Sequence, residues 1–504
     1  MNPDVDAELN PTNLPKRNQT SFRGDAVRLI AGTVIAQSIV VVTMPFLTRL
    51  YEPEMFGDSA FFLSIILIIG VLSCLRYELA IVLPDKDSAA ANLLVACFGI
   101  SLLLSLLLIP ITIVSGPLVA NLFKKPALTT VFWLVPLAFF IHGIFLALSY
   151  WHTRERNFAQ LATAKITSSA MNSGSAFGLG KLGFASSGVL IASQIVGQAL
   201  ASLLMFFSVC VKNWKYFMQQ VRWRTMLSEL TRYRKFPLIE SWSTLMNVLS
   251  ANLPIVLLSF YFPPAVTGFF ALSQKILNIP MAFLGRAISQ VFFQRASVAV
   301  LNGNLPHVVL RTLKPLVLVS VFPFLMLMII GPELFGVVFG DKWVEAGVFV
   351  QILAPWILLN FFYSPISGLI SVLHIQESGF ALNMLLLITR IASLVYGGMQ
   401  ENVLLGLILF SLSGSIIYPA FFIYLMFKSG TSLMEIWRHI RLGQFVGLAL
   451  LAPIAFCKWV LLLSAPVLVG VAILSSGLFY AWAIMQDVHV RKLLNLGKGS
   501  KSTD

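Results

Sequence analysis

Charge is what this sequence has least of. Charged residues fill 11% of its 504 positions, and Asp and Glu number only 21 against 35 Lys and Arg, whereas 58% of residues are hydrophobic. A soluble domain carries roughly a quarter charged residues, and a mean hydropathy of +0.85 is incompatible with that class. The chain reads as an all-α polytopic membrane protein, because its apolar runs are long enough to cross a bilayer as helices.

Other scarcities narrow the function. The four cysteines, Cys74, Cys97, Cys210 and Cys457, lie in or beside apolar runs without paired spacing, so neither a disulfide framework nor a metal site is expected. The six histidines are scattered and include no HExxH pair, so no metal and no cofactor is expected. There is no GxxxxGK[ST] and no soluble segment large enough for an ATPase domain. "GLGKLG" at Gly178 to Gly183 matches a dinucleotide-binding pattern only by chance, since it follows a membrane span rather than a strand. No outer loop exceeds roughly 15 residues, which leaves little room for a membrane glycan polymerase or ligase. The first 25 residues lack the apolar core and cleavage site of a removable signal, and residues 1–25 and 488–504 read as cytoplasmic tails.

What is present is apolar length. Runs of about 18 residues predict about 14 spans, the first near Val27 and the last near Pro466. With the N-terminus inside, the loops that become cytoplasmic hold about 24 of the 35 Lys and Arg, the opposite loops about 6 and the spans about 5. That asymmetry sets the orientation and accounts for the net charge of +14 without nucleic acid. The most basic loop, residues 212–235, divides the first twelve spans into sets of six, residues 26–211 and 236–427. Two further spans occupy 428–487. A faint echo supports an internal repeat: "PFLTRLYEPEMFGDSAFFLS" from Pro45 and "PIVLLSFYFPPAVTGFFALS" from Pro254 both run Pro, Tyr-x-Pro, Gly, Phe-Phe and Ser.

Polar residues interrupt the spans in a pattern. "ALSQKILNIPMAFLGRAISQVFF", the eighth span, carries Lys275 and Arg286, which share one face if about 100° per residue holds throughout. Asn278 and Ser289 fall on that face, and Pro280 permits a kink beside it. The fifth span repeats the arrangement with Lys165, Ser168, Ser169 and Asn172, and the seventh with Glu240, Ser243, Thr244 and Asn247. The tenth has Asn360, Ser364, Ser367 and Ser371, and the eleventh Asn383 and Arg390. Arg28 and Glu240 lie near span ends. Each central cation costs about 2.5 to 3.5 kcal/mol in a bilayer, and only Glu78 and Glu240 are expected near the spans as counter-ions. The stripes therefore imply a hydrated interior with room for an external anion, and helix-to-helix bonding or snorkelling is the alternative use of each cation.

"RLYEPEMFGDSAFF" (49–62) followed by "LRYELAIVLPDKDSAAANLL" (75–94) resembles the start of bacterial polysaccharide exporters, the Wzx-type O-antigen and capsule repeat-unit flippases of the MOP superfamily. The resemblance implies two pseudo-symmetric, MATE-like six-helix bundles around a cavity that opens to either side in turn, plus two C-terminal helices. It implies a carrier of undecaprenyl-diphosphate-linked oligosaccharide across the bacterial inner membrane, not an enzyme. In that reading Lys165, Lys275, Arg286 and Arg390 neutralise the diphosphate, with Arg28 near the cytoplasmic boundary. Asn172, Asn247, Asn278 and Asn360 bond sugar hydroxyls. Arg76, Glu78 and Glu240 become a gate or an ion pair. The expected partners are the lipid-linked substrate and the bilayer, with a polysaccharide polymerase and a chain-length regulator as further partners. A lipid II-type flippase and a MATE-like exporter remain open within the same superfamily.

Overall fold

The computed structural model describes residues 22–123, 129 and 131–486, and every regular element among them is helical. The expected tails lie outside the described residues, except that Phe22 to Asp25 already belong to the first helix. The first set of helices is α1 (Phe22–Leu50), α2 (Pro53–Gly70), α3 (Asp87–Leu122), α4 (Val135–Arg154), α5 (Phe158–Lys181) and α6 (Ser187–Gln220). They pack on one another through α1 with α5, α5 with α6 and α3 with α4. A short helix, α7 (Trp223–Arg232), lies in the basic linker.

The second set is α8 (Ser241–Tyr261), α9 (Pro264–Leu277), α10 (Arg286–Leu301), α11 (Leu305–Phe339), α12 (Val344–Ile366), the single turn α13 (Leu369–Val372), α14 (Gln376–Met399) and α15 (Val403–Lys428). Its core is built of side chains such as Trp343, Phe270, Phe335, Phe349 and Phe410, all buried. α16 (Leu433–Trp459) and α17 (Ala465–Gln486) pack together and against α11.

Eleven of the described helices are long and apolar enough to span a membrane, not fourteen. The expected spans that fall short do so for visible reasons. α5 has the length but carries Thr163, Lys165, Thr167, Ser168, Ser169 and Asn172. The eighth span is broken between α9 and α10, and α16 carries Glu435, Arg438 and Arg441 in its first half. Two of the three are among the five segments with polar stripes; the other striped segments keep the length and hydropathy of a span.

The two sets meet where α2 lies across α9. Pro53 and Pro264 each open their helix, a position where the missing N–H costs nothing, and one turn later each helix presents a glycine. A Cβ on Gly57 would stand 1.9 Å from the Pro264 carbonyl oxygen, and one on Gly268 would stand 2.0 Å from that of Pro53. The contact is reciprocal, as a two-fold relation requires, and it pairs the Gly positions of the sequence echo, with Pro264 one residue beyond the Pro263 that the echo matches to Pro53. Only glycine lets two backbones approach so closely.

Carboxylates are more widely placed inside the helices than the sequence suggests. Asp58 of α2 is 4% exposed and accepts a hydrogen bond from Ser187 Oγ at 3.0 Å. Glu333 of α11 pairs with Lys458 of α16 at 2.8 Å. Pro332 and the non-helical Ile330 (φ −116°, ψ 22°) break the hydrogen-bond ladder of α11, and the freed carbonyls are used: Lys458 Nζ donates to Ile329 O at 2.7 Å and Gln351 Nε2 to Met328 O at 2.9 Å. Lys458→Ala removes both a charge partner and a carbonyl donor, so it is expected to lower stability by about 1.5 to 3 kcal/mol. A thermal melt in detergent would read this, and an unchanged midpoint would mean that α16 is held by apolar packing alone.

Candidate functional site

A cavity of about 310 Å³ opens between α1 of the first set and α9 of the second. Gln37, Val40, Val41 and Met44 form one wall; Ala271, Gln274, Lys275, Asn278 and Ile279 form the other. Lys275 is exposed while its neighbours Leu272, Ser273 and Leu277 are buried, so its ammonium stands in accessible space although its helix is packed. Asn278 Nδ2 donates back to Gln274 O at 2.8 Å. That bond uses an Nδ2 proton and leaves the Asn278 side-chain oxygen able to accept. Gln37 and Gln274 were not singled out from sequence; the signal was there, two amides inside otherwise apolar runs.

α1 also holds Lys165, whose Nζ donates to Thr33 Oγ1 at 3.1 Å. Thr33 and Gln37 are four residues apart and share a face of α1. One helix thus carries the contact of Lys165 and, a turn further on, the wall opposite Lys275. Arg28 is exposed at the start of α1.

The other expected site residues lie elsewhere. Helix α9 ends at Leu277 and a wide turn over Met281–Gly285 precedes α10. The uniform 100° count from Lys275 to Arg286 therefore does not hold, because such a turn takes more residues per revolution. Arg286 opens α10, but its side chain lies outside the described residues. Arg390 of α14 sits in a ring of aromatics, 4.8 Å from the Trp356 ring and 5.3 Å from that of Phe410, with Nη2 donating to Tyr418 Oη at 3.3 Å. It serves the interior of the second set rather than the cavity at Lys275. Asn172 packs at the crossing of α5 with Gly197 of α6. Asn247 is exposed on α8, and Asn360 is half-buried on α12.

A second constellation lies where the linker enters the second set. Leu75 (φ 49°) and Arg76 (φ 62°) are consecutive left-handed residues, a conformation that costs non-glycine residues energy and persists only where surroundings impose it. The turn delivers Arg76 Nη1 to Glu78 at 3.1 Å and Nη2 to within 4.0 Å of Glu240, just before α8. Glu78 is 1% exposed; burial pushes its carboxyl up, and the Arg76 guanidinium pulls it back. Next to it, Arg154 ties the "PDKD" loop, donating to Pro84 O at 2.6 Å and to Asp87 at 2.8 Å.

The opposite end of the molecule is closed more firmly. Trp343 Nε1 donates to Thr48 O at 2.8 Å, Arg49 Nη2 to Val337 O at 3.3 Å, and Lys342 pairs with Glu52. Together with the Gly57–Gly268 crossing, these contacts seal the two sets at the end away from the linker. At the linker end, the Arg76–Glu240 approach is the longer and weaker connection. Among the described residues, no group of His, Cys, Asp and Glu could hold a metal ion.

Comparison with known proteins gives a consistent picture. A family described as polysaccharide biosynthesis proteins matches residues 46–348. The teichuronic acid biosynthesis protein TuaB of Bacillus subtilis (strain 168) is 22% identical over 289 residues, 56% of this chain, and the match spans 57% of that relative's length. Among solved structures, the lipid II flippase MurJ in an inward closed conformation aligns with a TM-score of 0.64 at 12% identity, covering 92% of this chain and 99% of its own. An inward-facing multidrug resistance MATE family transporter of the MOP superfamily aligns with a TM-score of 0.53 at 18% identity, covering 81% and 98%. The fold is that of these transporters.

Proposed function

The chain belongs to the polysaccharide biosynthesis protein family, and from that premise we propose that it moves undecaprenyl-diphosphate-linked oligosaccharide repeat units from the cytoplasmic to the periplasmic leaflet of a bacterial inner membrane. O-antigen, capsule and exopolysaccharide units are the substrate class. The observation that carries this reading is the cavity between α1 and α9, into which an exposed Lys275 projects. A lone ammonium in a membrane interior is stable only with a partner, and a diphosphate supplies one.

In this mechanism the diphosphate enters from the linker side, where the connection between the helix sets is weakest. Lys275 takes its charge, Lys165 adds a second cation along α1, and the Gln37, Gln274 and Asn278 amides bond the first sugars. The prenyl tail stays in lipid. The sets then rock against one another, and the α2–α9 crossing parts together with the Trp343 and Lys342 contacts to release the glycan on the far side. Domain limits of 26–211 and 236–427, an interior N-terminus and a cytoplasmic linker belong to the same proposal. No bond is made or broken, so the protein acts as a carrier and not as an enzyme; a polymerase with its chain-length regulator would draw the product away.

Lys275→Ala is expected to slow flipping about tenfold, the loss of one charge-assisted contact. Purified protein in liposomes with fluorescent undecaprenyl-diphosphate oligosaccharide, followed by the rate at which inner-leaflet label meets an outside quencher, reads this directly. Wild-type rates in the variant would give Lys275 a structural role, and wild-type liposomes without exchange would overturn the carrier reading.

A further inference from the structure

The basic linker is more than a stretch of positive charge. α7 and the residues after it form an open bowl of about 770 Å³ lined by Arg224, Ser228, Thr231, Arg232, Arg234 and Lys235. Arg224, Ser228 and Thr231 follow one another at four and three residues, the spacing of one helix face, and Lys235 lies three residues beyond the end of α7. The carboxylate of α7, Glu229, is buried at 9% exposure and is not among the lining groups. The bowl thus gathers four cations and two hydroxyls without an acid to neutralise them.

Two features set it apart from a loop that merely follows the charge asymmetry of membrane proteins. It is pinned: Asn92, 0% exposed, donates Nδ2 to Gln220 O at 2.9 Å and accepts from Arg222 N at 2.9 Å, and Tyr77 Oη donates to Leu230 O at 3.0 Å. The backbone that carries the cations is therefore fixed before any ligand arrives. It is also built for an interface, since Trp223 and Leu227 are exposed beside the arginines, a pairing suited to the headgroup layer. From Lys235 the chain runs directly into the turn that brings Glu240 to Arg76, so the bowl borders the linker-side seam.

We propose that the bowl is a second anion site, which captures the diphosphate of a lipid-linked substrate at the membrane surface before it reaches the cavity at Lys275. A phosphodiester headgroup brings a single charge and would leave most of the cations unmatched, whereas a diphosphate spreads two or more charges over oxygens that arginine forks and hydroxyls can bond together. The position of this site in a transport cycle rests on the carrier reading; its chemistry does not.

The test uses full-length protein in phosphatidylcholine nanodiscs, titrated with fluorescent farnesyl diphosphate in the Lys275→Ala background so that the cavity does not contribute. Saturable binding is expected to persist there and to weaken about thirtyfold when Arg232→Gln and Lys235→Gln are added, at roughly a factor of five per cation. Arg232→Lys with Lys235→Arg should keep most of the affinity. Lys181→Gln with Lys428→Gln, an equal loss of charge on exposed residues elsewhere, should keep all of it. Undiminished binding in the linker variant, or no binding before it is made, overturns the bowl. Equal competition by phosphatidylglycerol also overturns it, because the site would then serve bulk anionic lipid. The liposome flipping rate of Lys275→Ala is read separately, so the carrier proposal stands or falls on its own.

Discussion

Gly57→Leu is expected to reduce flipping about a hundredfold, the largest loss from any single substitution at the interface between the helix sets. The side chain would meet the Pro264 carbonyl at 1.9 Å and Gly268 N at 3.0 Å, which are backbone atoms that cannot rotate away. Overpacking of this kind costs about 3 kcal/mol or more, and the cost falls only on the state in which α2 and α9 touch. The population should therefore shift away from the closed seam by about a hundredfold. Cysteines placed at Glu52 and Lys342, which pair across the seam, report this: rapid disulfide formation in otherwise wild-type protein should become slow with Gly57→Leu. Gly268→Leu should behave alike, because the crossing is reciprocal. If cross-linking stays fast in both while flipping falls, the glycines serve packing inside one set and not the closure between sets.

Arg76→Ala is expected to lower unfolding stability by about 3 to 5 kcal/mol, the usual result of stranding one member of a buried ion pair. Glu78 is 1% exposed, and Arg76, itself 16% exposed, bonds it at 3.1 Å. Replacing both, as in Arg76→Met with Glu78→Leu, should recover most of the loss, since no charge is left without a partner. The penalty also depends on pH. Burial already raises the Glu78 carboxyl and Arg76 opposes that rise, so without Arg76 the folded protein holds the proton to higher pH than the unfolded chain does. The folded state then binds more protons than the unfolded one, and stability falls as pH rises through that window. Thermal melts of variant and wild type should therefore lie closest near pH ~5 and diverge towards pH ~8. A constant gap across that range would mean that Glu78 is not the group left uncompensated, and that the loss arises from the left-handed turn at Leu75 and Arg76.

Both predictions concern places where the sequence carried a partial signal. The echo between Pro45 and Pro254 matched Pro53 to Pro263 and, across a one-residue gap, Gly57 to Gly268, yet nothing in it said that the two copies touch. Arg76, Glu78 and Glu240 were legible as charged residues at span ends. Their meeting depends on two consecutive left-handed residues, a conformation that no composition rule assigns to Leu75. Lys165 and Lys275 were found as cations in apolar runs, but nothing in the sequence said that α1 carries both the contact of Lys165 and the wall opposite Lys275. Arg390 looked like its fellow cations until Trp356 of α12 and Phe410 and Tyr418 of α15 closed around it.

The membrane class and the helical fold follow from the sequence, because each depends on local composition: bilayer thickness selects run length, and an apolar run of that length closes its backbone hydrogen bonds as a helix. Which cation faces a cavity, which is caged and which pairs with a carboxylate was decided by tertiary structure alone. A helical periodicity orients a side chain only within an unbroken helix, and the wide turn at Met281–Gly285 removes that reference where Lys275 and Arg286 needed it. The environment of a charge inside a membrane is supplied by neighbouring helices, and their order in space is set by packing at contacts such as Gly57 on Gly268.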